Sequence, residues 1–531
     1  MYHSRAYYLP ALVVIILTLS FFRLGSFRLF DVDEAVFSEA TKEMVQSGDW
    51  LTPTYNGVNR YDKPILFYWL MALSYKAFGV NEFGARFPSA LAGCLLSIML
   101  GLFMKKAGDS ERALYASLTF VLSIYFVAYT HAAVTDMTLS LFISLSLFSF
   151  YHAVAGGQRR DLYLYGFYLF SALAFLTKGL IGIVFPFGIA MAYMLLTERL
   201  AGLKKVFSFG AAALFIAVAA PWYLAQYSVN GQEFIDQFFI KHHFRRYTGI
   251  ISGHKGPVYF YIPALLIGLM PWIVFLPAGV ISSIRAFRKH GPSADSGPVS
   301  ARHSPELLAL IWLGGIFIFF SLATTKLPNY ILPAVPAASI LIASGMSGLG
   351  RAGLRYTSGL ISAVSLLLGV AFLIAPKYLA GLGIAGGWWT FVASGIMFCG
   401  ALLNGYTAVR GRRLHEYGAL LMLAFLLLVS LRLLPVANDY LQGTLYRFSI
   451  YAKENLGSDR DLVLYKVNKP SVVFYSDHRI TPLDRIEQVR EAMTARSGML
   501  VITRQSEAGA LQQEGLTLIE KDRDYALLER K

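Results

Sequence analysis

Charge is what this sequence has least of. Of 531 residues only 15% are Asp, Glu, Lys or Arg, against roughly 25% in an ordinary soluble domain. That scarcity excludes a soluble enzyme carried on a single anchor. Cysteine is nearly absent, with Cys94 and Cys399 both inside apolar stretches. No disulfide framework and no thiolate metal site follows from two such residues. No small-residue cleavage pattern follows the first apolar run, where Phe21-Phe22-Arg23 is a poor exit, so the run reads as an uncleaved span. Internal repeats are missing as well, and with them the paired halves common in transporters.

What is present is apolar and aromatic. Hydrophobic residues make up 56%, mean hydropathy is +0.52, and there are 39 Phe and 31 Tyr. Aromatics at that density suit the belts where membrane meets water. The net charge of +15 does not indicate nucleic acid, because the basic residues sit in short loops between apolar runs, where they orient a membrane protein.

Spans of about 20 apolar residues fall near 7–24, 84–104, 113–133, 137–155, 162–177, 179–197, 206–224, 257–280, 306–324, 329–347, 357–375, 388–408 and 416–434. The expected fold is mainly α, a polytopic helix bundle of about 13 spans by that length rule. Arg5, Lys105, Lys106, Arg112, Arg159, Arg160, Lys204, Lys205, Arg285, Arg288, Lys289, Arg302, Arg351, Arg355, Arg410, Arg412 and Arg413 fall in alternate loops, which should be cytoplasmic. The loop at 25–83, Asp136, Lys178, the segment Tyr223–Gly256, Lys326 and the C-terminus then face outward. Ile65–Val80, short and broken by Lys76, reads as a helix near the interface. Residues 1–434 form the expected membrane domain. Residues 435–531 carry dense charge and the runs Leu462–Tyr465, Val472–Tyr475 and Leu500–Thr503, with a helical stretch Arg485–Thr494. They are expected to be a small outward α/β domain. Gly291–Ser304 reads as a cytoplasmic loop.

Site candidates gather on the outward side. Asp31-Val32-Asp33-Glu34 follows the first span. Asp31 with Glu34 fits an acidic capping box for a helix Glu34–Ser47 lying along the membrane, with Phe37, Ala40, Met44 and Val45 on its apolar side. Capping leaves Asp33 unexplained, and a carboxylate there suits a general base or a substrate-orienting group. In Asp62-Lys63-Pro64, proline suits a helix start and Lys63 beside it suits phosphate; a plain Asp62–Lys63 surface pair is the alternative. Asp136 is either a cap for the next span or a second site acid. Lys178 and Lys326 end apolar spans, where lysines commonly snorkel; converging outward, they would stabilise a phosphate leaving group. Lys326-Leu327-Pro328-Asn329-Tyr330 has the rigid break of a lining loop. Lys241-His242-His243-Phe244-Arg245-Arg246 lies in the long outward loop. A single histidine of that pair joined by carboxylates would suit a divalent metal, and a basic interfacial helix is the alternative.

These residues carry a resemblance. Asp33-Glu34-Ala35, Glu39, Glu43-Met44, Ser47 to Pro53, Asn56-Gly57, Asp62-Lys63-Pro64 and Tyr68-Trp69 are similar to the first outward loop of the bacterial aminoarabinose (lipid A) transferases. These are GT-C-type membrane glycosyltransferases related to protein O-mannosyltransferases. Thr135-Asp136-Met137, Thr177-Lys178-Gly179, Pro221-Trp222-Tyr223, His242-His243, Pro271-Trp272, Lys326-Leu327-Pro328 and Tyr330 to Pro333 continue it in order. The resemblance implies a GT-C fold and a glycosyltransferase of the inner membrane with a periplasmic site. It implies transfer of a sugar from a polyprenyl (undecaprenyl) phosphate carrier to an acceptor, with lipid A or another glycolipid leading. Catalytic roles fall to Asp33 and Asp136, and substrate contacts to Glu34, Asp62, Lys63, Lys178, Lys326 and Tyr330. Two positions depart from the family pattern: Val36 stands where Arg is frequent, and Asp62 where Glu is. Membrane lipids and the lipid-linked donor are the expected partners, with a lipid or protein acceptor and no nucleic acid. A protein O-glycosyltransferase, a lipid-sugar flippase and a non-catalytic scaffold are the competing readings.

Overall fold

The computed structural model describes residues 8–155, 159–238, 256–290, 303–384, 387–411, 415–457, 460–495 and 498–530. It is a helical membrane bundle with a small sheet domain at its C-terminal end. α1 (Tyr8–Phe21) leads into a loop that holds α2 (Asp33–Ser47), the hairpin β1 (Thr54–Tyr55) and β2 (Val58–Asn59), and α3 (Leu66–Phe78). Then come α4 (Glu82–Lys106), α5 (Ser110–Val121), α6 (Ile124–Thr130), α7 (Asp136–Val154), α8 (Arg160–Lys178), α9 (Ile181–Leu203) and α10 (Phe209–Phe234). After the break follow α11 (Tyr261–Gly268), α12 (Leu276–His290), α13 (Pro305–Leu322), α14 (Val335–Gly348), α15 (Arg351–Gly381), α16 (Trp388–Arg410), α17 (His415–Leu428) and α18 (Leu434–Asn455).

Among the described residues nine helices are long and apolar enough to cross a membrane, or eleven if two bent pairs each count as one. The difference from the sequence reading lies in α1, whose described apolar part is short, and in α8, which is helical but carries Arg160, Asp161 and Lys178 at its ends. The bent pairs are α5 with α6, at 58°, and the α11–α12 region, at 112°.

Local chemistry sets the helix starts. Asn81 accepts from the Gly84 amide to cap α4, Asp109 from Arg112 to cap α5, and Ser304 from Leu307 to cap α13. Each satisfies an amide that the first turn leaves free. Depth in the bundle varies sharply. The segment Pro328–Gly348 has 89% of its apolar window buried, while α15 has 17%. The first is therefore the bundle's axis, and the second is a lipid-facing hairpin arm with α16. At the axis, α12 and α14 touch backbone to backbone. A Cβ on Gly279 would fall 1.9 Å from the Leu341 carbonyl oxygen, and one on Gly345 would fall 2.2 Å from that of Phe275. Only glycine permits that approach.

A second core lies under the first loop. Leu29, Phe37, Tyr61, Ile65 and Tyr68 pack there with Leu176, Trp222 and Phe234. The amphipathic pattern of 34–47 and the short apolar stretch after Pro64 both give the helices expected of them. The Trp222 indole and the Gln226 amide both donate to the Leu51 carbonyl, at 3.1 and 2.5 Å, tying the loop to α10.

The tail carries a five-stranded sheet in the order β4-β3-β5-β7-β6. Its strands are β3 (Asp461–Tyr465), β4 (Ile480–Leu483), β5 (Met499–Arg504), β6 (Thr517–Asp522) and β7 (Tyr525–Arg530). β3, β4 and β5 are parallel, and β7 runs antiparallel to β5 and β6. α18 and α19 (Pro470–Ser476) cover one face through Leu445, Phe448 and Val472. α20 (Ile486–Ala495) and α21 (Ala508–Gln513) cover the other through Val489 and Leu511. Residues 472–475, grouped above with the strand-like runs, are helical. Pro470 stands in the first turn, where its fixed φ suits a helix. α18 also runs unbroken through position 435, the boundary expected from composition.

Candidate active site

The candidate residues fall into two groups on one loop-bearing end of the bundle. The first belongs to the loop itself. Asp33 is the first residue of α2 and is exposed. No hydrogen bond or ion pair engages its carboxylate among the described residues. It lies within electrostatic reach of Tyr68. Tyr68 in turn accepts from Arg60 Nε at 2.9 Å, and Arg60 grips Asp62 at 2.5 and 2.6 Å. Arg60 also stacks over the Phe37 ring at 5.1 Å. The Asp62 carboxylate beside it holds the guanidinium charged, against burial. Lys63 Nζ donates to the Asp62 carbonyl at 3.0 Å and stands 3.6 Å from its carboxylate. Two cations and an acid thus cluster at Tyr68, within whose electrostatic reach lies the Asp33 carboxylate that no described residue engages.

The second group is deeper. Asp136 opens α7 and is 2% exposed. Its Oδ1 pairs with Lys178 Nζ at 2.6 Å, and its Oδ2 accepts from Asn329 Nδ2 at 3.1 Å. Lys178 ends α8 and sits 5.5 Å from the Tyr330 ring centroid. Tyr129 lies within electrostatic reach of Asp136. Asp136, Lys178 and Tyr330, far apart in sequence, are therefore one cluster.

Glu34 joins the groups. It is buried, accepts from Arg86 Nε at 2.7 Å and Nη2 at 3.2 Å, from the Phe30 amide at 2.8 Å and from the Ala133 amide at 3.0 Å. Ala133 precedes Asp136 by three positions, so Glu34 fastens the start of α2 to the turn that opens α7. Both oxygens are taken up by the protein. The capping box does not form. The N-cap of α2 is Val32 without a side-chain bond, and the Asp31 carboxylate turns instead to Ser471.

Lys326 is held differently from Lys178. Its Nζ donates to the carbonyls of Ser321, at 3.0 Å, and Ala323. Its charge is spent on the free carbonyl end of α13, where a cation is favoured. His242 and His243 lie outside the described residues. Within the described residues no group of three or more His, Cys, Asp or Glu is arranged to hold a metal.

Arg60 and Asn329 carry contacts that the sequence reading did not assign. An arginine two residues before Asp62, in a loop expected to face outward, was the available signal for the first. Asn329 had none beyond its place between Lys326 and Tyr330.

The chain was compared with known proteins. The family model for dolichyl-phosphate-mannose-protein mannosyltransferase matches residues 62–224. An undecaprenyl phosphate-alpha-4-amino-4-deoxy-L-arabinose arabinosyl transferase 2 of Pseudomonas fluorescens (strain Pf0-1) is 31% identical over 386 residues, covering 71% of this chain and 66% of the relative. An uncharacterized protein of Aquifex aeolicus (strain VF5) is 32% identical over 330 residues, 62% of each. The chain therefore spans a little under two thirds of these relatives. The crystal structure of ArnT from Cupriavidus metallidurans bound to undecaprenyl phosphate superimposes with a TM-score of 0.79 at 21% identity, covering 98% of this chain and 97% of that one.

Proposed function

We propose that this chain, which belongs to the aminoarabinose-transferase-like family of GT-C membrane proteins, is an inverting glycosyltransferase. It takes a sugar from undecaprenyl phosphate and places it on an envelope glycolipid, with lipid A the leading acceptor. The site and the sheet domain face the periplasm, and the bundle sits in the bacterial inner membrane. The membrane bundle bears the site, and the sheet with its strands β3 to β7 forms the outer domain, joined to the bundle through α18.

One observation carries the reading: the exposed carboxylate of Asp33, which no described residue engages, lies within electrostatic reach of Tyr68, the residue that binds Arg60 of the Arg60–Asp62–Lys63 group. A lipid phosphate needs cations at a membrane surface, and an attacking hydroxyl needs a base within hydrogen-bond reach. In the reaction the anomeric carbon gains positive, oxocarbenium-like character as its bond to phosphate lengthens. Lys63, together with Lys178, stabilises the negative charge that builds on the departing phosphate. Phosphate leaves without an acid. The acceptor attacks from the opposite face, so the anomeric centre inverts. With a hydroxyl acceptor, Asp33 takes the proton. With a phosphate acceptor, already ionised, Asp33 orients it. Asp136 holds Lys178 in place through their 2.6 Å ion pair, and Tyr330 walls the lysine. Glu34 and Asp62 act by holding the loop and its cations, and Lys326 by fixing the end of α13 next to Tyr330.

The test is direct. Purified protein is incubated with radiolabelled undecaprenyl-phosphate sugars and lipid A, and the labelled product is identified. Transfer by the native chain and its loss in Asp33→Asn support the reading. Lipid moved across vesicles without any transfer would replace it with a flippase. Label appearing on protein hydroxyls would replace the acceptor.

A further inference from the structure

The first loop is gripped from above by the sheet domain, through contacts that the transfer chemistry above does not use. Asp31, two residues before Asp33, has a carboxylate only 3% exposed. It accepts from both the amide and the Oγ of Ser471, each at 2.8 Å. Lys469 stands 4.0 Å away. The Tyr475 hydroxyl accepts from the Leu29 amide and donates to Glu82, both at 2.8 Å. Farther along α2, Lys42 donates to the Phe474 carbonyl at 3.1 Å and pairs with Asp477 at 2.6 Å. The short helix α19 thus spans the entry to α2 and one of its faces.

The grip extends to the other half of the loop. The Asn56 amide and the Ile480 backbone exchange two hydrogen bonds of 2.8 Å each. Asn56 sits at the tip of the hairpin that runs on to Arg60 and Asp62. The N-terminal end of β4 therefore holds the hairpin turn, and α19 holds the entry and one face of α2.

An exposed carboxylate that no described residue engages, such as that of Asp33, depends on its backbone for aim. Two residues upstream that backbone is fixed by a buried acid that accepts from the amide and hydroxyl of Ser471, 440 positions away in sequence, and from the side-chain amide of Gln442 on α18 at 3.0 Å, whose oxygen accepts from the Asp31 amide. An acid buried with its donors in place is costly to release.

We infer that Ser471 and Asp31 are positioning residues of the transferase: the sheet domain, through this pair, sets where Asp33 meets the acceptor. The inference rests on the functional reading above. Neither residue touches substrate. Their loss leaves donor binding at Lys63 intact and misplaces the base.

The experiment uses the full chain in detergent or nanodisc, with Ser471→Ala, Ser471→Thr and Asp31→Asn. Steady-state kinetics with the undecaprenyl-phosphate sugar and lipid A are run beside amide hydrogen exchange over residues 29–37. The expected result is a fall in kcat of about 10- to 100-fold in Ser471→Ala, the size that a misplacement near 1 Å produces. KM for the donor stays within about twofold, as for a group acting only in the transition state. Ser471→Thr, which keeps the hydroxyl, returns most of kcat, and exchange at 29–37 rises in the alanine variant alone of the two. Should Ser471→Ala fail to fold, Asp31→Asn carries the same comparison. An unchanged kcat or an unchanged exchange pattern overturns the inference. So does a joint fall of kcat, donor affinity and thermal midpoint that threonine does not rescue, since that marks a merely structural contact. Native protein inactive with every donor sinks the functional reading and the catalytic role with it; the exchange result still decides whether the latch exists.

Discussion

Lys178 Nζ and Asp136 Oδ1 stand 2.6 Å apart, which joins the last residue of α8 to the first residue of α7. Each charge sits at the favoured end of its own helix, the acid at an N-terminus and the cation at a C-terminus. Both are largely removed from solvent, with side chains 4% and 11% exposed. Such a pair is sensitive to losing one member, because the other is left buried and uncompensated.

Asp136→Ala and Lys178→Ala should therefore each lower unfolding stability, by about 3–5 kcal/mol if the remaining charge stays ionised. The double variant should recover part of the loss. Thermal unfolding in detergent of the four proteins gives the coupling directly. Additive losses would mean that the pair is not an energetic unit.

Asp33→Asn should behave in the opposite way. The side chain is exposed and has no partner among the described residues, so stability should change by no more than about 0.3–1 kcal/mol, the helix-end contribution. Transfer to a hydroxyl acceptor should fall by about 10²- to 10⁴-fold, the share of a general base. Parallel measurement of the melting curve and of kcat separates the two.

Glu34→Gln, one residue later, should damage folding first. Its carboxylate carries the charge opposite Arg86, which is fully buried and also donates to the carbonyls of Leu24, Phe27 and Arg28. Folded yield and melting temperature should drop together. A stable but inactive variant would assign Glu34 to chemistry instead.

The Glu39–Lys42–Asp477 cluster predicts a pH effect. Burial pushes the Glu39 carboxyl up to about 7, with Lys42 opposing the shift. A carboxyl whose folded-state value lies above its free value of 4.5 stabilises the fold most below that value. The contribution is lost as pH rises through 7. Native protein should therefore lose stability relative to Glu39→Gln between about pH 4.5 and 7. Melting temperatures of the two across that range check it; parallel curves would show that Glu39 titrates as a free acid.

Asp33 and Glu34 show how far the sequence could be read. Both are acids at a helix start, and composition marks the pair as a site. What separates them is Arg86, 52 positions on, which takes Glu34 into the core and leaves Asp33 outside. No local pattern contains that partner. Asp31 is similar: its spacing from Glu34 fits a capping box, yet Ser471 draws it away. Residues 472–475 look like a buried strand because they are apolar and β-prone. They form a helix because Pro470 starts one and their side chains reach a core shared with α18. Lys178 and Lys326 look alike as span-end lysines, but one meets a carboxylate and the other meets helix carbonyls.

By itself the sequence determined the membrane bundle, the helices of the first loop and the identity of the acids and lysines worth testing. Those follow from apolar length and from the energetic cost of charge near lipid, which are local properties. Only the tertiary structure decided which acid no described residue engages and which is saturated, that Lys178 meets a carboxylate where Lys326 meets carbonyls, and that the sheet domain holds the loop. Those depend on pairings between residues tens to hundreds of positions apart, and burial decides their strength.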